Sequence, residues 1–154
     1  MPTIHDVPGG SGWILSGKDL RPRITDVGLF RESMKGDPLA LAIEALWLGD
    51  PVRALRMLSR EEQTLRVRAL SADCLRDLRR ADEALAEYNE LVKLAQGTRS
   101  EAFMVQHRGK VHLVLGNYNE AIEDFQRSVN LRTGGDEALL ASALRALEFA
   151  QQSA

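Results

Sequence analysis

The chain has 154 residues, of which 44% are hydrophobic and 27% charged, and its formal net charge is −2 at pH 7. These values suit one globular domain with a core of its own, and a pI near 5.9 argues against nucleic acid as a partner. Cys74 is the only cysteine and no apolar run reaches the roughly 18 residues of a membrane span, so we expect a cytoplasmic protein without disulfides or a membrane partner.

The first 36 residues differ in composition from the rest of the chain. Residues 8–12 (PGGSG) are rich in turn-forming types. Pro22 lacks the backbone donor of a helix and restricts the residue before it. We therefore predict an irregular or partly disordered N-terminal arm over residues 1–36, with one short helix near 26–34.

From Asp37 onward the chain has the start and stop signals of successive helices. Asp37-Pro38 and Asp50-Pro51 each place a capping carboxylate before a proline at the first helical position. Glycines 49, 97 and 116 stand where helices are expected to end, because glycine readily adopts positive φ. The seven predicted helices cover residues 38–48, 51–60, 62–78, 81–96, 100–115, 118–132 and 136–151.

One turn motif occurs three times in this helical part. It reads LGDPVRAL at residues 48–55, LRRADEAL at 78–85 and LGNYNEAI at 115–122. The alanine that follows each turn recurs after 30 and then 37 residues, which gives a mean period of about 34. This period is typical of repeats built from two antiparallel helices.

The turn and the residue sizes around it resemble the tetratricopeptide repeat family. Each copy has a small residue in its first helix, a small residue after the turn and a large apolar residue one turn later. In order along the chain these are Ala42, Ala54 and Leu58, then Ala72, Ala84 and Tyr88, then Gly109, Ala121 and Phe125. Small residues let paired helices approach closely, and the large residue fills the space between them.

The resemblance implies an all-α fold over residues 37–154, an α-solenoid of antiparallel helix pairs. Repeats are expected at about 37–61, 65–96 and 101–133, followed by a capping helix over 136–151. Such a helix makes physical sense because each repeat buries its apolar face only against the next one. The third copy matches the family best and the first least. Ser71 and Arg108 depart from it, since both are polar where the family prefers a large aliphatic residue.

In this family the first helix of each pair lines a concave face that binds other proteins. The resemblance therefore implies a partner-binding face made of Leu39, Ile43, Arg66, Asp73, Arg76, Phe103, Gln106 and Lys110. We hypothesise that this face holds a peptide or a partner helix. Arg66, Arg76 and Lys110 would meet acidic groups, and Phe103 would be an apolar anchor.

An arginine-rich stretch precedes the second copy of the turn. Between Arg53 and Arg80 there are eight arginines and only four acidic residues. One interpretation is a solvated helical face. The other is a basic patch that meets an acidic partner, because arginine offers carboxylates a planar fork of donors.

Residues suited to catalysis or metal binding are scarce. His107 and His112 are five residues apart, which places them about 140° from each other around a helix, whereas a zinc site prefers an i,i+4 pair. Cys74 falls inside a predicted helix among apolar neighbours, where an inert buried thiol is expected. We predict no enzyme activity, no cofactor and no metal site.

The functional prediction is a non-catalytic module for protein–protein interaction, an adaptor or scaffold. Two alternatives stay open at this point. One is a dedicated chaperone for an unstable client protein, and the other is a structural protein that associates with itself, for example as a homodimer.

Overall fold

The computed structural model describes residues 5–154 and is mostly helical. Residues 1–4 of the predicted arm lie outside the described residues. The elements in chain order are β1 Val7–Gly10, β2 Trp13–Leu15, β3 Pro22–Ile24, α1 Val27–Ser33, α2 Ala40–Trp47, α3 Pro51–Leu58, α4 Leu65–Asp77, α5 Ala81–Ala95, α6 Glu101–Val114, α7 Tyr118–Arg132 and α8 Glu137–Ser153. Across the described residues, no helix combines the length and the apolar character that crossing a membrane requires.

The chain forms two compact units, one that ends at Gln63 and one that spans Thr64–Ala154. The sequence places a boundary after residue 36 instead. Helices α2 and α3, which carry the first copy of the turn motif, belong to the first unit together with the strands and α1. All seven predicted helices are present, with bounds that differ by up to three residues. Helix α1 corresponds to the short helix predicted near 26–34.

The N-terminal segment is not irregular, which corrects the prediction for its described residues. Strands β1, β2 and β3 form an antiparallel sheet in that order, with Val7 opposite Leu15 and Trp13 opposite Ile24. The turn between β1 and β2 depends on Gly12, whose φ is +79°. Strands of three or four residues that contain glycine and proline carry too little alternation to be recognised from sequence.

Aromatic side chains hold the first unit together. The ring of Trp47 on α2 lies 4.6 Å from that of Trp13 on β2 and 5.6 Å from that of Phe30 on α1. A Cβ atom added at Gly9 would overlap the ring of Trp13. Glycine at that position therefore lets the indole lie flat across β1, and this packing fixes the sheet against α2.

Helices α4 to α8 of the second unit pack in sequence, each against the next, and α6 also contacts both α4 and α8. Helices α4, α6 and α8 are therefore neighbours in one layer, while α5 and α7 form the other layer. This is the arrangement expected of antiparallel helix pairs placed side by side.

In the third copy of the motif, the small residue and the large residue pack as predicted. A Cβ atom added at Gly109 would lie 2.6 Å from Cε1 of Phe125, so α6 and α7 can approach this closely only because Gly109 has no side chain. The alanines of all three copies after the turn are fully buried. The polar residue Arg108 is accommodated by a bidentate ion pair with Asp124, at 2.7 and 2.8 Å.

Candidate functional site

The candidate site lies on α4 and α6, the neighbouring first helices of two successive pairs. Along α6, the residues Phe103, Gln106, His107 and Lys110 occupy positions i, i+3, i+4 and i+7, which lie on one face of a helix. Most side chains of this face are buried, but Phe103 remains 38% exposed.

Phe103 lies on His107. The two rings are 4.0 Å apart with an interplanar angle of 28°, which is a stacked arrangement. His107 is in turn stacked against Tyr88 of α5, with ring centroids 6.1 Å apart. The exposed ring of Phe103 therefore rests on two further rings that are themselves packed, so its position is well defined.

Asp73 of α4 is the hub of a buried polar network. It accepts a hydrogen bond of 2.6 Å from the hydroxyl of Tyr88, and its Oδ2 lies 3.3 Å from Nδ1 of His107. Nη1 of Arg76 is 3.7 Å from the other carboxylate oxygen. The Tyr88 hydroxyl also reaches the backbone carbonyl of Ala69 at 3.0 Å. These contacts tie α4, α5 and α6 together directly under Phe103.

Arg76 is held by carboxylates of its own helix. Its Nε donates to Asp77 at 3.0 Å, and only 5% of its side chain is exposed. Burial disfavours the charged guanidinium, but Asp73 and Asp77 outweigh this effect and raise the pKa of Arg76 above its usual value. A guanidinium neutralised in this way offers little to an acidic partner.

The same contacts shift the pKa values of the groups around Asp73. Burial alone would raise the pKa of Asp73, but His107 and Arg76, together with the Tyr88 hydrogen bond, hold it below its usual value. Burial lowers the pKa of His107, and the attraction of Asp73 offsets this only in part. Burial and Asp73 both raise the pKa of Tyr88. At neutral pH the network thus contains an ionised Asp73 and a neutral imidazole.

A second polar chain connects α6 to α7 and α8. Nε2 of Gln106 donates to Oγ of Ser142 at 3.1 Å, and Oγ of Ser128 lies 3.3 Å from Oε1 of Gln106. The Ser128 hydroxyl also donates to the carbonyl of Ala102 at 3.1 Å. Gln106 is 4% exposed, so its amide serves to hold the layer of first helices in register.

The eight residues predicted for the partner-binding face fall into three groups. Leu39 and Ile43 are buried in the first unit, at 6% and 4% exposure, where they serve as core residues instead of an open lining. Asp73, Arg76, Gln106 and Lys110 lie on α4 and α6 but are 4–7% exposed. Arg66 and Phe103 are exposed.

Sequence reasoning missed the part that Tyr88 and His107 play in the network. Tyr88 was recognised only as the large residue of the second copy, and its hydroxyl gave no signal of a partner on α4. The i,i+4 spacing of Phe103 and His107 on a helix was the available signal for their stacking.

The arrangement has few features of a catalytic centre. Burial, followed by the nearby charge of Asp73, raises the pKa of the Cys74 thiol to about 12, which leaves it protonated and unreactive. In the part of the chain that the structure describes, no three His, Cys, Asp or Glu residues are grouped so that they could hold a metal ion.

Comparison with known proteins agrees with this architecture. Residues 104–133, which comprise most of α6 and all of α7, match the family model of the tetratricopeptide repeat. No curated protein matches the chain significantly in sequence. The repeats at about 37–61 and 65–96 lie outside the match and remain predictions. Tetratricopeptide repeats are non-catalytic helix pairs that generally mediate protein–protein interaction, and α6 and α7 form one such pair in this chain.

Proposed function

We propose that the protein is a non-catalytic adaptor, and that the face formed by α4 and α6 binds a segment of another protein. The observation that carries this proposal is Phe103, a large apolar ring that is 38% exposed yet fixed from below by His107. Fixed aromatic side chains are the usual anchors of protein interfaces, because little conformational entropy is lost when they bind.

The polar network supports the proposal by making the face rigid before a partner arrives. Four residues on α4 and α6 carry formal charges: Asp73 and Asp77 are negative, and Arg76 and Lys110 are positive. Their formal charges sum to zero, so these four residues add no net charge to the face. We therefore propose that the partner inserts an apolar side chain against Phe103, rather than a row of acidic groups.

An acidic partner would find fewer exposed cationic residues on this face than the sequence predicts. Of the three cationic residues expected to meet acidic groups, only Arg66 is exposed, at the first turn of α4. A carboxylate on the partner could meet Arg66, whereas Arg76 and Lys110 act mainly within the protein. We place the adaptor in the cytoplasm, because its one cysteine is a free buried thiol.

The test compares Phe103→Ala with Leu94→Ala. Leu94 lies on α5, in the other helical layer, and is 51% exposed, so it is a matched surface residue away from the proposed face. A partner isolated with the native protein should bind the Phe103→Ala variant at least tenfold more weakly, since a central anchor contributes about 2 kcal/mol or more. Leu94→Ala should bind as the native protein does.

Equal binding by both variants would refute the proposed face. Light scattering of the native protein adds a second criterion. A mass that doubles from 17.1 kDa with concentration, and stays at the monomer value in Phe103→Ala, would mean that this face joins two copies instead of holding a different protein.

A further inference from the structure

Helix α3 in the first unit and the turn that follows it carry three exposed arginines. Arg53 and Arg56 lie on α3, and Arg60 lies in the turn, two residues beyond the end of the helix at Leu58. Their spacing is i, i+3 and i+7. Because the C-cap Ser59 keeps right-handed helical φ and ψ, the three Cα atoms extend over about 10 Å along one side of α3 and its C-terminal turn. We call these three residues the arginine stripe.

No acidic residue shares the exposed side of α3. The other exposed position of the helix is Val52, and its C-cap Ser59 is exposed as well. The carboxylate that Arg53 influences is Glu44 of α2, and Glu44 already forms a bidentate ion pair with Arg31, at 2.7 and 3.1 Å. Within the described residues, no carboxylate lies within ion-pair distance of Arg56 or Arg60.

The helix that presents the stripe is well fixed. Asp50 caps its first turn by accepting from the amide of Arg53 at 3.2 Å, and Pro51 occupies the first helical position. Ala54 and Leu58 are buried on the opposite side, at 0% and 1% exposure. Arg53 and Arg56 are therefore carried by a well-fixed helix, and Arg60 follows directly after its C-cap Ser59.

We propose that the arginine stripe docks an acidic helical segment of a partner protein, with carboxylates spaced i, i+4 and i+7. This spacing extends over the same length as the stripe, so that each guanidinium can meet one carboxylate when the helices lie side by side. A guanidinium binds a carboxylate through two parallel hydrogen bonds, which favours this pairing over contacts with isolated charges.

A protein partner fits this surface better than other polyanions. Leu48 and Val52, both 53% exposed, lie at the N-terminal end of the stripe and offer an apolar contact that phosphates cannot use. Basic segments that bind anionic membranes usually contain four to eight cationic residues, and the stripe has three. The net charge of −2 also disfavours approach to nucleic acid at long range.

This inference does not depend on the proposed function. The stripe belongs to the first unit and Phe103 to the second, so each can be tested with the other intact. Residues 53–60 are also those that the sequence marked as the start of an arginine-rich stretch, for which a solvated face was the alternative.

The experiment uses the full chain and a synthetic helical peptide. The probe is an alanine-based, fluorescently labelled peptide of about 18 residues, long enough to be helical in part, with glutamates at i, i+4 and i+7 and a leucine at i+3. We expect the native protein to bind it and Arg53→Gln/Arg56→Gln/Arg60→Gln to bind about tenfold more weakly. Binding by the native protein should weaken at least threefold between about 50 and 300 mM salt.

The matched control also removes three positive charges, but at exposed positions away from the arginine stripe. Lys35, Lys93 and Arg99 are exposed and lie outside α3, so their triple glutamine variant should bind within about twofold of the native protein. A peptide of the same composition, with its glutamates spread around the helix, should bind at least threefold more weakly than the probe.

Three results would overturn the inference. The first is an equal loss of peptide affinity in both triple variants. The second is equal affinity for the probe and for the peptide whose glutamates are spread around the helix. The third is binding of double-stranded DNA or phosphatidylserine vesicles, through the same arginines, that is tighter than binding of the probe. Self-association of the native protein that the stripe variant abolishes would also overturn the inference. The arginine stripe would then bind a second copy of this chain and not a partner helix.

Discussion

Gly109 occupies the small-residue position of the third copy of the motif, and the variant Gly109→Ala tests how closely α6 packs against α7. The added Cβ would lie 2.6, 2.9 and 3.0 Å from three ring atoms of Phe125. Carbon atoms in contact prefer about 3.5–4.0 Å, so the two helices would have to separate by nearly 1 Å at this point. Phe125 is fully buried, which leaves its ring no free space to move into.

Two effects of opposite sign determine how much Gly109→Ala changes the free energy of unfolding. Overpacking a core costs about 1–3 kcal/mol, whereas alanine is about 1 kcal/mol more favourable than glycine inside a helix. We expect Gly109→Ala to lower the free energy of unfolding by about 1 kcal/mol. In a Phe125→Leu background the clash disappears, so the same substitution should instead stabilise the protein by up to about 1 kcal/mol.

The assay is urea unfolding followed by far-UV circular dichroism, in a double-mutant cycle over Gly109 and Phe125. Gly28→Ala is the matched control, because a Cβ at this helical glycine meets only Asp26 Oδ1, at 3.5 Å. That control should leave stability unchanged or raise it slightly. A Gly109→Ala variant that is more stable than the native protein, or a coupling energy near zero, would refute the close packing of α6 on α7.

Two further predictions concern the turns and the polar network. Arg79 has φ of +63° at the position where the other two copies of the turn have Gly49 and Gly116, so Arg79→Gly should raise the free energy of unfolding by about 0.5–1 kcal/mol in urea unfolding. A loss of stability would show that the Arg79 side chain outweighs its backbone strain. Because the pKa of His107 is lower in the folded state, the unfolded chain binds the proton more readily, and stability should fall as pH drops below about 6.5. His107→Gln should flatten this slope between pH 5 and 7 in a series of unfolding measurements, and a slope equal to that of the native protein would contradict the buried neutral imidazole.

The helical part of the fold was predictable because its signals are local. Proline after a capping carboxylate, glycine at helix ends and the recurring alanine each act within a few residues, and together they mark the bounds of α2 to α8. The pairing of Gly109 with Phe125 followed from the residue sizes of the motif. Arg108 departed from that motif, and its compensation by Asp124 required the geometry of two helices.

The remaining features depend on contacts that are distant in sequence. Strands β1 to β3 are stabilised by pairing with each other and by Trp13 against Trp47, which are 34 residues apart. The burial of Arg76 likewise follows from the packing of α4, α5 and α6 around Asp73. Helical position alone assigned Arg76 and Lys110 to the partner-binding face, but it could not show that both side chains are buried.

We propose that the face formed by α4 and α6 is a preformed docking surface for another protein. Photo-crosslinking tests it most directly, with p-benzoylphenylalanine placed at Phe103 in one variant and at Leu94 in another. We predict an adduct with one defined protein from position 103, which excess native protein competes away, and no such adduct from position 94. Equal adducts from both positions, or an adduct at 103 that contains only a second copy of this chain, would contradict the claim.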